Sequence, residues 1–126
     1  MTRTRIAVII VIITFAIAAA DYFFGIHTIS SVEYELNQAV SCLNKGDEQQ
    51  SKVHAQKAEE NWNKCSNIIM FFNTHEKTDD IDVSLNIAVA DITYHNADLF
   101  REEVQRTLVL LEHMKEAEYP LPENVL

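Results

Sequence analysis

The chain has 126 residues with only two Gly, two Pro and two Cys, and a formal net charge of −9 at pH 7. So little turn chemistry excludes a many-stranded β protein and a Gly-rich phosphate loop, and once an apolar N-terminus is set aside the length leaves one modest core. Without Arg3 and Arg5, 8 basic residues face 19 acidic ones, a net −11 that repels nucleic acid and anionic headgroups, so no nucleic-acid partner is expected.

Met1 to Arg5 carries two Arg and no acid, and Ile6 to Ala20 is apolar apart from Thr14. Tyr22, Phe23, Phe24, Gly25 and Ile26 extend this run past the single charge of Asp21, reaching the roughly 20 residues that span a hydrocarbon core. The reading is an anchor over residues 1–26, with the lipid bilayer as partner of Ile6 to Ile26 and the aromatic trio at the interface. Arg3 and Arg5 then stay cytoplasmic, and residues 27–126 form an extracytoplasmic domain. Ala18-Ala19-Ala20 before Asp21 also fits a signal-peptidase site, which would release a secreted helical protein. Against cleavage, Ile26, Ile29, Val32, Leu36, Val40 and Leu43 continue the apolar phase at helical spacing, which predicts one rod leaving the membrane, with a bend at Gly25.

The predicted fold class is all-α: this N-terminal transmembrane helix continues into an antiparallel bundle of about four helices. The first runs to about Asn44, where Gly46 suits the left-handed position after a helix end and Asp47 can cap the next helix. The second spans about Asp47 to Asn73, with Ala55, Ala58, Trp62, Cys65, Ile69 and Phe72 on one stripe. Thr74 to Thr78 reads as a polar loop, after which Thr78 or Asp79 caps a third helix with Ile81, Leu85, Ala88, Val89 and Ile92 inward. Asp79, Asp80 and Asp82 then crowd its first turn, where acids oppose the positive end of the helix dipole. That helix ends near His95-Asn96, and Asp98 caps a fourth with Phe100, Val104, Leu108 and Leu111 as its apolar face. The two halves share a helix–turn–helix layout with turns about 51 residues apart, too long for a tetratricopeptide period.

An antiparallel return of the second helix brings Phe71 and Phe72 back to the level of Tyr22 to Phe24, with the His75-Glu76 loop near the membrane. The same register separates Cys42 from Cys65 by about 20 Å, beyond disulfide reach. Cys65 reads as a small core residue, and Cys42 flanks its stripe, where an intermolecular bridge is open to it. His75, Glu76, Asp79 and Asp82, joined by His113 from the antiparallel fourth helix, form the densest set of metal-ligating side chains, though their spacing matches no zinc signature. Trp62, Phe71 and Phe72 are either a partner surface or core. His27, His54 and His95 read as isolated and exposed. No nucleophile elbow, HExxH or paired catalytic signature occurs, so neither an enzyme nor a cofactor is expected.

With Trp62, His75-Glu76, Ile81-Asp82 and the terminal Leu121-Pro122-Glu123-Asn124-Val125-Leu126 in view, the chain resembles, over its full length, an uncharacterised family of short membrane-anchored proteins of spore-forming Gram-positive bacteria. The resemblance implies a membrane location and an all-α fold, and carries no activity. It departs from the family pattern late in the second helix, where Phe71 or Phe72 stands in place of a second Trp. Two function classes follow. The first is a membrane-tethered scaffold or interaction module that binds a protein partner or itself. The second is a metal- or ligand-binding sensor domain using the His/acid turn.

Overall fold

The computed structural model describes the backbone of residues 1–72 and 75–118 and the side chains of residues 1–64 and 78–116. Four helices follow one another: α1 (Thr2–Asn44), α2 (Glu48–Phe72), α3 (His75–Thr93) and α4 (Ala97–Glu118). With no Pro before position 120, no residue of these four helices lacks its backbone donor.

α1 is continuous over 43 residues, roughly 65 Å, and has two unlike halves. Along residues 2–20 every side chain is exposed. Ile6, Ile10 and Phe15 stand 53%, 58% and 73% open, so this half contributes nothing to the core. It is long and apolar enough to cross a membrane, a property that suits an anchor or a signal sequence alike. Within the apolar run from Ile6 to Ala20 the hydroxyl of Thr14 is satisfied locally, because its Oγ1 donates to the Ile10 carbonyl at 2.9 Å. From Gly25 onward the helix is amphipathic, and Ile29, Val32, Leu36, Ala39 and Leu43 are buried.

Gly46 adopts φ +83°, as its place in the sequence predicts. Its N–H donates to the Leu43 carbonyl at 3.0 Å and that of Asp47 to Cys42 at 2.9 Å, the double bond pattern of a Schellman turn. Asp47 Oδ1 then accepts the Gln50 N–H at 3.1 Å and caps α2. The α3–α4 turn repeats this design with a different residue. His95 takes the left-handed position at φ +63°, its N–H reaches Ile92 at 3.3 Å and the Asn96 N–H reaches Asp91 at 2.8 Å.

The helices form a ring in which α1 meets α2 and α4, and α3 meets α2 and α4. Cross-links fix an antiparallel register between neighbours: Ser31 with Asn61 and Glu35 with His54 join α1 to α2, and Ser84 with Thr107 joins α3 to α4. Lys115 Nζ, 3.2 and 3.3 Å from the two Glu33 oxygens, closes the ring between α4 and α1. The core inside is one cluster built on Trp62, Phe100, Leu36, Leu85 and Leu111.

Three local expectations are corrected. α3 begins at His75, because Thr78 lies one turn before Ile81 on the inward face and is fully buried, so the core stripe starts where a loop was expected. Asp79, Asp80 and Asp82 therefore sit beyond the first turn, where the dipole effect has faded. Asp98 does not cap α4. It lies inside the first turn, exposed and loosely paired with Arg101 at 3.4 Å, while Asn96 precedes the helix and its carbonyl accepts the Phe100 N–H at 2.9 Å.

Candidate functional site

Among the described side chains of the expected His/acid cluster, Asp79 and His113 are exposed and Asp82 is half-buried. The side chains of His75 and Glu76 lie outside the described residues, as do those of Cys65, Phe71 and Phe72. Asp82 is already engaged, because the Trp62 indole Nε1–H donates to its Oδ1. Its carboxyl is held above the ordinary range, first by burial and then by the nearby charge of Asp79, with the indole bond pulling the other way. A cation here would have to compete with that bond. No group of three or more His, Cys, Asp or Glu among the described residues is arranged to hold a metal.

Trp62 is fully buried, which places it in the core and not on a partner surface. Its stripe neighbours Ala55 and Ala58 are buried with it. The bond to Asp82 satisfies the indole N–H and pins the α2–α3 register.

Two histidines read as isolated are in fact bonded across helices. His54 Nδ1 lies 2.6 Å from Glu35 Oε2, a hydrogen bond across the α1–α2 seam. Glu35 is 9% exposed in its side chain, so the pair sits well inside the α1–α2 seam. His95 pairs with Glu48 at the far end of the bundle, where Arg101 Nε also donates to Asn44 Oδ1 at 3.3 Å. These contacts knit the two turns into one rim. A groove of about 440 Å³ opens beside it, lined by Glu48, Gln49, Lys52, Ile92, Thr93 and His95. The lining is of mixed charge.

Sequence periodicity overlooked a second group, the polar residues of the core. Ser84 Oγ donates to Glu103 Oε1 at 2.8 Å and lies 2.5 Å from Thr107 Oγ1, both hydroxyls being buried. Ser51 is also fully buried, and its hydroxyl has no hydrogen-bond partner among the described residues. Each falls three or four residues from an apolar core position, which is the signal that would have found it. Cys42 is a half-buried free thiol.

A family model described as domain of unknown function (DUF4363) matches residues 23–125. No curated protein and no solved structure matches the chain.

Proposed function

The chain thus belongs to the DUF4363 family, whose description brings no activity with it, and from that premise we propose that it is a membrane-anchored, non-catalytic helical scaffold or interaction module. Its domain stands on the extracytoplasmic side. The observation that carries the reading is α1, one unbroken helix whose first half exposes apolar side chains on every face and whose second half is a core element of the bundle. An exposed apolar surface of that extent is unstable in water and calls for lipid around it. Arg3 and Arg5 at its start, with no acid beside them, favour a cytoplasmic N-terminus. In the bundle, Glu35 with His54, Ser31 with Asn61 and Ser84 with Thr107 bond across helix seams, an arrangement suited to rigidity.

The test is fractionation of cells carrying the full-length chain, combined with protease treatment of intact spheroplasts and mass spectrometry of the N-terminus. The expected outcome is a chain that resists alkaline extraction from membranes, begins at its own N-terminus and loses its domain to external protease. A soluble chain beginning at Asp21 would instead establish the secreted protein. Pull-down from detergent should recover a stoichiometric protein partner or a further copy of the chain, and recovery of neither would overturn the scaffold reading. The sensor alternative, with His75, Glu76, Asp79, Asp82 and His113 as ligands, predicts a rise in melting temperature on titration with zinc or calcium.

A further inference from the structure

A small groove between α1 and α2 lies at the end of the bundle nearest the apolar half of α1. It measures about 150 Å³, the space of roughly five waters, and is lined by Phe24, His27, Thr28, Ser31, Asn61 and Lys64. None of these is an acid, on a chain of net charge −9. The larger groove at the far end, by contrast, includes Glu48. The polar side chains of the small groove offer donors. Asn61 Nδ2 donates to Ser31 Oγ at 2.9 Å, which uses that oxygen as an acceptor and leaves its own hydrogen to be given. His27 carries a ring N–H in either protonation state, and Lys64 carries an ammonium. Lys64 meets Glu60 at 3.3 Å, but the two side chains are 66% and 64% exposed, so this surface pair is weak enough to yield.

We infer that this groove binds the phosphate of a zwitterionic phospholipid headgroup, of the ethanolamine kind, in the outer leaflet. Height selects a lipid, and this step rests on the anchored reading proposed above. Ile6 to Ile26 rises about 30 Å, the thickness of the hydrocarbon core, so His27 to Ser31 occupies the next 5 to 8 Å or so, the depth of a headgroup layer. α2 descends alongside: with Asn61 level with Ser31, Lys64 stands about 4.5 Å lower, opposite Thr28. Phe24, one turn below Thr28, lines the membrane side. Charge selects the headgroup. A phosphate diester meets His27, Ser31 and Lys64 with no carboxylate in the lining, and its bonds to them are charge-assisted. Asp21 and Glu60, just outside the lining, suit the ammonium at the other end of the same headgroup. A lipid of net negative charge gains the first contact and is repelled by the acidic domain around it.

The test uses the full-length chain reconstituted in vesicles of phosphatidylethanolamine and phosphatidylglycerol in equal parts, then released in mild detergent and weighed by native mass spectrometry. Phosphatidylethanolamine should remain bound, and His27→Gln combined with Lys64→Gln should lower its retention by about tenfold, the loss expected for a charge-assisted contact. Lys45→Gln, which removes the same charge at the opposite end of the bundle, should leave retention unchanged. Thermal melts of these variants should match the parent, because His27, Lys45 and Lys64 are all exposed. Undiminished retention in the double variant, or equal retention of phosphatidylglycerol, would overturn the assignment. The lipid-stripped chain in detergent should show no binding when titrated with millimolar inorganic phosphate; binding that the double variant loses would make a free anion the ligand and overturn the lipid. Alkaline extraction of the same membranes separates the two proposals: a chain that stays in the membrane but holds no headgroup sinks only this site, whereas a chain that is extracted sinks the anchor.

Discussion

Asp82 shows how much of a residue's role depends on one neighbour. In sequence it is one of three acids near a helix start, and electrostatics at that start was the simplest reading. In the bundle it is the acceptor for the core indole, with burial raising its carboxyl above its ordinary 3.8. The folded state therefore keeps a proton that the unfolded chain has lost in the window just above that value, so Asp82 contributes a fall in stability as pH rises through it. Asp82→Asn keeps the acceptor oxygen and removes the titration. Thermal melts from pH 3.5 to about 7 should show a flatter slope for the variant and a higher melting temperature at the neutral end; an unchanged slope would show that the carboxyl has no such role. Ser51 gives a second case. Its buried hydroxyl lacks a partner among the described residues, so Ser51→Ala removes a desolvated group from a tight core and should stabilise the fold by about 1 kcal/mol, read from chemical denaturation. Neither role was legible from periodicity, which registers apolar residues and passes over a serine or an aspartate on the same stripe.

The four helices and most of their inward faces were legible, because Ala55, Ala58 and Trp62 in α2 and Phe100, Val104 and Leu111 in α4 keep strict helical spacing. The α1–α2 turn was legible too, since Gly46 announces a left-handed position. The α3–α4 turn was placed less well, because its left-handed residue is His95 and no glycine marks it. The start of α3 was missed for a related reason: Thr78 is a polar residue at a core position, and a run of polar side chains looks like a loop until one of them is found to point inward. The paired turns make an internal comparison of backbone cost. Gly46→Ala meets no atom within 4 Å, so its penalty is conformational alone, about 1 kcal/mol or a melting-point loss of several degrees. His95→Gly should move the other way, gaining the same conformational relief less the small worth of the exposed pair with Glu48. His95→Ala, which keeps the strain and loses the pair, should be the least stable of the His95 set; a melt that ranks His95→Gly below it would contradict this account.

At the scale of the whole molecule, the division of labour within α1 leads to a simple expectation. Residues 2–20 bury nothing, and the core contacts of α1 begin with Tyr22, Gly25 and Ile26. A chain beginning at Asp21 should therefore melt, by circular dichroism in detergent-free buffer, within a few degrees of the bundle in the full-length protein. A large loss would mean that the apolar half supports the fold in a way its exposure does not suggest. The matched family region, residues 23–125, begins at nearly the same point as these core contacts.

Because α1 runs as one continuous helix from its apolar half into the bundle, the two halves share a single helical phase. Every residue inserted between Ala20 and Gly25 would turn the bundle by about 100° against the apolar half and lift it by about 1.5 Å. A domain on a loose tether would absorb such a change, whereas here the compass bearing of each outer face is written into the residue count of a single helix.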